Sequence, residues 1–456
     1  MKNRFINMLK KRLYNNVSNQ FDIAFVELSK TCIYKSISYG EFYKKVCRLG
    51  EQLIQNDYQN MTVILYMSNS IDSIINLFSC FYANIIPIIK SYNTDNIENE
   101  KYIDEINVLL KNFNEIKYVF LDNILYENMK CKLNIINVLN LNDICPNDLF
   151  LKQNTKKTNF DFVLSTSGST DIPKCVKISI DKLFLNILFD NNLWNVNKNS
   201  KCLNWLPISH IYGLTSIVLI PLYFGATSYL MKPHDYYNNC YLWIESISKY
   251  KITHASIINF VLNQLSFIDN IDDDINLSSL QNLSIGGESV KLNSIRNFYN
   301  KYQKYNLSFK VFSPSYGMSE NSGLVSEYKS DCGQSISIKV DRKFLIEGKM
   351  KEDKYGIEIV NLGQIDKNNV LISSKNGNYY NNDDEIGEVV LHDKSLCSGY
   401  LNNNQKFPKY FHTGDLGFVH NNCLYLCGRI KDVIVIRGKN FASSLICDTI
   451  SNTLSK

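Results

Sequence analysis

The sequence predicts an α/β protein with two doubly wound subdomains and a small β-barrel-like subdomain. Three observations predict it. Helix-period and strand-length apolar segments alternate over residues 39–89, the alternation returns over 161–224, and after about 324 the texture changes to short strand-like runs. A chain of 456 residues, at about 150 per domain, accommodates roughly three such units.

Residues 39–56 carry helical spacing, 61–67 form an apolar run of strand length, 72–83 are helical again and 85–89 strand-like. The second set reads as strand 161–165, helix 180–189, strand 202–206 and helix 214–224. In the third region the strand-like runs are 335–340, 355–360, 370–373, 387–392 and 423–427, with Gly, Asn and Asp between them. The most membrane-like stretch, 213–231, contains Pro221 and Gly225 and reads as a buried helix, a turn and a strand.

Composition excludes several classes. Apolar residues make up 45% and charged residues only 20%, so the chain is not disordered. The net charge of +5 is spread without a basic block, which argues against a nucleic-acid partner. The 13 cysteines lack paired metal-ligand spacing, as expected of reduced thiols in a cytoplasmic protein.

The sharpest motif is Ser165-Thr-Ser-Gly-Ser-Thr170 after an apolar strand, with Lys174 beyond it. Such a loop offers successive backbone N–H groups to an anion, with hydroxyls at Thr166, Ser167, Ser169 and Thr170, close approach at Gly168 and a point charge at Lys174. A Walker A loop does not fit, because Pro173 falls on its second glycine and Cys175 on its Ser/Thr. Taken alone, the run is equally a polar surface loop.

Four further segments come after it in order. They are Trp205-Leu-Pro-Ile-Ser-His-Ile-Tyr-Gly213, Gly286-Gly-Glu288, Ser315-Tyr-Gly-Met-Ser-Glu320, and His412-Thr-Gly-Asp-Leu-Gly417 with Gly428-Arg-Ile-Lys-Asp432. In this order the set resembles the AMP-forming adenylating enzymes. Leu230-Met-Lys-Pro, Trp243-Ile-Glu-Ser, Gly287-Glu-Ser-Val and Phe312-Ser-Pro-Ser-Tyr-Gly, with an insertion-like passage after Glu320, resemble the fatty-acyl-AMP ligase branch. The resemblance implies the fold of the large N-terminal domain of AMP-forming ligases. It also implies ATP-dependent conversion of a fatty acid to acyl-AMP, followed by transfer to the phosphopantetheine of an acyl carrier protein. The alternatives are an acyl-CoA or aryl-CoA ligase, and a catalytically impaired nucleotide- and acyl-binding regulatory protein.

By the same resemblance, residues 166–170 and Lys174 hold the phosphates, and Glu320 with Thr170 holds Mg²⁺. Tyr316 stacks on adenine, with Gly286, Gly287 and Glu288 along the base edge and Ser315, Gly317, Met318 and Ser319 completing that segment. Asp415 accepts the ribose hydroxyls, Arg429 donates to the sugar, and His210 lies near the α-phosphate and the fatty carboxylate. Catalytic roles fall to His210, Lys174 and Glu320. Residues 1–428 form the adenylating domain, with 324–428 as its β-rich lobe, and 429–456 form a hinge at Lys431 and the stub of a C-terminal domain.

Three positions depart from the family pattern. Asp171 and Cys175 stand where glycines are usual, and Ile211 where this branch often has Asp. Only 24 residues follow Asp432, so the family's C-terminal lysine motif has no counterpart in this sequence.

Overall fold

The computed structural model describes residues 20–92, 99–122, 125–127, 137–141, 161–166, 173–331, 333–373, 379–380, 385–392, 396–401, 407–436 and 439–442. The chain divides into two units, residues 1–255 with 397–406 and residues 256–396 with 407–456.

The first unit begins with a hairpin of β1 (Ile23–Ser29) and β2 (Cys32–Ser38), an element that the sequence pattern does not announce. Helix α1 (Tyr39–Gln55) follows, started by Ser38, whose hydroxyl accepts from the Glu41 N–H at 3.2 Å. It buries Phe42, Val46 and Leu53 along one stripe. Next come β3 (Thr62–Met67), α2 (Ile71–Tyr82), β4 (Ile86–Ser91), α3 (Asn99–Asn112) and β5 (Ile116–Leu121). Then β6 (Asn137–Asn140), β7 (Phe162–Thr166) and β8 (Lys174–Ile178) complete a six-stranded sheet, ordered β6-β5-β3-β4-β7-β8. All its pairs are parallel except β7 with β8. Parallel strands are buried on both faces, and in β3 the run Val63–Met67 is buried at every position.

The second winding of this unit runs from α4 (Ile180–Trp194) through β9 (Lys201–Asn204) and β10 (Thr227–Leu230) to β11 (His254–Ile257), where the chain passes into the other unit. Strand β10 pairs in parallel with both β1 and β9. The stretch expected as helix, turn and strand has that order. Residues 211–224 are helical with a π-helical middle at Leu214–Leu219, Gly225 turns at φ +83°, and β10 follows. Among the described residues no helix is long and apolar enough to cross a membrane.

The second unit holds α5 (Asn259–Ser266), β12 (Asn282–Ile285), α6 (Leu292–Tyr302), β13 (Phe312–Met318) and β14 (Gly323–Glu327). Its antiparallel sheet comprises β15 (Ser337–Val340), β16 (Ile357–Gln364), β17 (Val370–Ser373), β18 (Tyr379–Tyr380), β19 (Gly387–His392), β20 (Tyr410–His420) and β21 (Cys423–Arg429). A hairpin of β22 (Val433–Ile436) and β23 (Lys439–Ala442) comes last. The β-rich lobe expected after about residue 324 is this sheet. The order β15-β16-β21-β20-β19-β17-β18 is open, and no pair joins β15 to β18 among the described residues. Both faces of the sheet carry buried apolar residues. Val419 and Leu424 enter one core cluster while their neighbours Phe418, Cys423 and Tyr425 enter another.

Candidate functional site

In the second unit Tyr316 and Arg429 converge on the Asp415 carboxylate. Strand β20 carries His412-Thr-Gly-Asp415, and Asp415 lies opposite Arg429 of β21 in register. The Arg429 Nε donates to Asp415 Oδ1 at 2.9 Å, and the Tyr316 hydroxyl donates to Oδ2 at 2.6 Å. The Asp415 side chain is only 7% exposed, while that of Arg429 is 57% exposed. Burial first, and the Asp415 charge second, push the Tyr316 hydroxyl well above its usual pKa, so it acts as a donor. A carboxylate offers about four lone-pair sites, so each oxygen with one protein donor keeps capacity for one more.

The turn presenting Asp415 is itself clamped. Gly414 adopts φ +78°, a conformation that favours glycine. Its N–H donates to Glu388 Oε1 at 2.9 Å, and Glu388 Oε2 meets His412 Nδ1 at 2.6 Å. The Thr413 hydroxyl donates to the Val389 carbonyl at 2.7 Å and accepts from the Asp415 N–H at 3.1 Å. The Tyr379 hydroxyl reaches His412 Nε2 at 3.1 Å. Sequence reasoning missed Glu388; its signal is a Gly-Glu pair opening the apolar run of β19.

The two glycine segments have clear local causes. Gly286 leaves β12 beside Ser315, whose hydroxyl donates to the Ile285 carbonyl at 3.1 Å. A Cβ on Gly286 would collide with Ser315 Oγ and push that hydroxyl from its place. Past Gly287, the Glu288 carboxylate accepts from the Phe260 N–H at the start of α5. Gly317 and Met318 lie opposite Leu324 and Gly323 in the β13–β14 hairpin. Ser319 is buried and Glu320 half-buried in the single turn Ser319–Asn321. Lys431 is exposed in the turn Ile430–Asp432, directly after β21.

The first unit holds the remaining candidates. Lys174 opens β8 opposite Thr166 in register, with its Nζ 5.8 Å from the centre of the Tyr400 ring. Ser167, Gly168, Ser169 and Thr170 lie outside the described residues, as does the Thr166 side chain. His210 caps the turn Ile211–Gly213, its Nδ1 accepting from the Tyr212 N–H at 3.2 Å. That contact assigns the neutral-ring proton to Nε2. Desolvation by the surrounding protein lowers the His210 pKa, which favours this neutral form.

The approach to His210 rests on Asn69, a residue absent from the sequence-based set. Its Nδ2 donates to the carbonyls of Trp205, Leu206 and Met231 at 3.0–3.1 Å. Its Oδ1 accepts from the Ile208 N–H at 3.0 Å. The polar run Ser68-Asn69-Ser70 after a buried strand is the only signal the sequence offers for it.

A buried, doubly held carboxylate with lone pairs to spare is chemically able to accept from a pair of hydroxyls. The AMP-binding enzyme family profile matches residues 22–401. The chain belongs to that family. The medium-chain-fatty-acid–[acyl-carrier-protein] ligase JamA of Moorena producens is 26% identical over 437 residues, covering 89% of this chain and 73% of the relative. The probable long-chain-fatty-acid–AMP ligase FadD30 of Mycobacterium tuberculosis is 27% identical, covering 60% of this chain and 52% of the relative. The chain therefore spans about three quarters of one relative and about half of the other.

Solved structures agree on the fold. One from work on fatty acyl-adenylate ligases of E. coli and L. pneumophila superposes with a TM-score of 0.86 at 20% identity, covering 98% of this chain and 83% of that one. The fatty acyl-adenylate ligase of L. pneumophila in complex with acyl adenylate and pyrophosphate gives 0.81 at 22% identity, covering 94% and 77%. This member of the AMP-binding enzyme family thus has the α/β fold of the N-terminal domain of AMP-forming ligases.

Proposed function

We propose that this chain activates a fatty acid with ATP and serves an acyl carrier protein. One fatty carboxylate oxygen attacks the α-phosphorus, the bond to the pyrophosphate oxygen breaks, and acyl-AMP and pyrophosphate result. The carrier's phosphopantetheine thiol then attacks the acyl carbonyl, losing its proton, and AMP leaves with the bonding electrons. The observation that carries the reading is Asp415, buried and fixed between Tyr316 and Arg429 with acceptor capacity to spare, in a chain of the AMP-binding enzyme family. Support for the fatty substrate and the carrier comes from the names of the relatives.

In this reading Asp415 accepts from the ribose hydroxyls and Arg429 donates to the sugar. Tyr316 stacks on adenine beside Gly286, Gly287 and Glu288, with residues 315–319 completing the wall. Residues 166–170 and Lys174 hold the phosphates, and neutral His210 donates from Nε2 toward the reacting carboxylate or α-phosphate. Lys431 is the hinge between the adenylating domain, 1–428, and the residues from 429 onward, and a cytoplasmic setting suits the free thiols.

Glu320 fits Mg²⁺, which is held by one or two carboxylates with phosphate and water oxygens. Glu320 and Thr170 are its proposed ligands; the ion supplies charge neutralisation at the phosphates.

Fatty-acid-dependent ATP–pyrophosphate exchange tests the reading. Exchange that peaks at one acyl chain length and vanishes in Asp415→Ala and Lys174→Ala establishes adenylation. Acylation of a carrier protein in preference to coenzyme A then establishes the acceptor. No exchange in the wild-type chain with any acid overturns it.

A further inference from the structure

One charged cluster in the first unit has no place in the scheme above. Strand β4 runs parallel to β7, with Ile88 level with Val163 and Ile89 with Leu164. The next residues on the two strands are Lys90 and Ser165, the latter directly before the proposed phosphate-binding run 166–170. There the Lys90 Nζ donates to Ser165 Oγ at 3.4 Å and pairs with Glu105 Oε2, from α3, at 3.1 Å. The two charged side chains are only 14% and 30% exposed.

The placement is unusual for a lysine. Side chains alternate along a strand, so Ile86, Ile88 and Lys90 share one face. Ile86 and Ile88 are buried in the core cluster with Tyr66, Val163 and Cys175. Lys90 thus ends an apolar row, where desolvation offsets most of what an ion pair contributes. Burial raises the Cys175 thiol pKa to about 11, with Lys90 and Ser165 opposing the rise. In the β7–β8 register Ser165 faces Cys175 and Thr166 faces Lys174. By the same alternation, Lys90 and Lys174 approach this strand end from opposite faces of the sheet.

We propose that Lys90 is a positioning residue for phosphate binding: it fixes Ser165, and so the end of β7 from which the phosphate-binding run departs, with Glu105 as its counter-charge. The inference rests on the adenylating reading for the identity of the anion, and on the Ser165 and Glu105 contacts for the geometry. A lysine that only filled space here would be replaced by methionine at little cost, since the stems are alike and the buried pair adds little stability. A lysine that sets the strand end would not.

The test measures MgATP binding to the full chain by calorimetry and, beside it, steady-state adenylation, for Lys90→Met, Lys90→Arg, Ser165→Ala and the Lys90→Met/Ser165→Ala double variant. Lys45→Met removes an exposed lysine of α1 as the control. Lys90→Met is expected to weaken MgATP about 10-fold, with KM for ATP rising more than kcat falls. Lys90→Arg keeps affinity within about threefold, and the double variant is no weaker than the worse single one by more than about twofold. Wild-type affinity in Lys90→Met overturns the proposal, as do effects of Lys90 and Ser165 that simply multiply. Should Lys90→Met fail to fold, Ser165→Ala and Lys90→Arg still decide, because wild-type affinity in Ser165→Ala overturns it. A wild-type chain that binds MgATP but forms no acyl-AMP overturns the adenylating reading alone, and the binding data still judge Lys90. A wild-type chain that binds no MgATP overturns both.

Discussion

The two units hold their candidate groups in opposite ways. In the second, Asp415 is buried and held by two side-chain donors, and its turn is pinned by Glu388 and Thr413. In the first, Lys174 is exposed at a strand start beside an aromatic ring, and the His210 ring nitrogen accepts a single backbone hydrogen bond. The contrast teaches where preorganisation lies. Directional recognition of a neutral sugar needs acceptors fixed before binding, since a misaligned neutral hydrogen bond is worth little. Recognition of a multiply charged phosphate tolerates a mobile cation, because Coulomb attraction falls off slowly with distance.

Breaking the fixed side is expected to have the largest effect. Asp415→Ala removes the carboxylate and leaves the half-buried Tyr316 hydroxyl without its acceptor, so kcat/KM for ATP should fall by about 1000-fold, mostly through KM. Steady-state kinetics at saturating fatty acid measures it; a loss confined to kcat would contradict the ribose role. Lys174→Met is expected to lower kcat by about 100-fold with a smaller rise in KM, since a cation at the phosphates acts on developing charge. Pyrophosphate release in single-turnover mixing checks this. If both variants changed KM alone, the contrast between the units would collapse.

How much of this is legible in the sequence depends on whether a feature is local. The β3 and β4 runs and the helices α1 and α2 are readable within a few residues, because period and apolarity are carried by neighbours. Asp415 and Tyr316 are readable only by resemblance: they are 99 positions apart, and no local pattern says that they touch. Glu388 and Asn69 leave only faint local signals, because their importance lies in hydrogen bonds to backbone groups far along the chain. The order of the strands in the β-rich lobe is not local either. Short strands with turn residues predict a β-rich lobe, but which core each side chain enters is set by packing, as Val419 and Phe418 on adjacent positions show.

A smaller change sharpens the comparison within the second unit. Tyr316→Phe keeps the ring and removes the donor to Asp415 Oδ2, leaving a buried acceptor short of one partner. KM for ATP should rise about 10-fold with kcat nearly unchanged. Glu388→Gln keeps an acceptor for the Gly414 N–H and removes the charge facing His412, so a rise of about threefold is expected, shrinking at high salt. A larger effect in Glu388→Gln than in Tyr316→Phe would mean that the turn, not the hydroxyl, sets Asp415.

The smallest effect concerns the stability of the first unit toward acid. His254 is 1% exposed, with Nε2 on the Trp194 carbonyl at 2.8 Å and Nδ1 on the Thr253 hydroxyl at 2.8 Å. Burial lowers its pKa, and the Trp194 carbonyl only partly opposes that. The unfolded chain, with an ordinary imidazole pKa of about 6.5, therefore binds this proton more readily than the folded one. The sign follows: the contribution of His254 to stability is present above about pH 6.5 and is lost as pH falls through the lower folded value. Between pH 7 and pH 5.5 the thermal midpoint should drop by about 2 °C more in the wild-type chain than in His254→Gln, where an amide replaces the titrating ring. Differential scanning calorimetry at matched ionic strength reads the difference. An equal drop in both proteins would locate the acid sensitivity elsewhere, with His210, whose pKa is lowered in the same direction, as the next residue to replace.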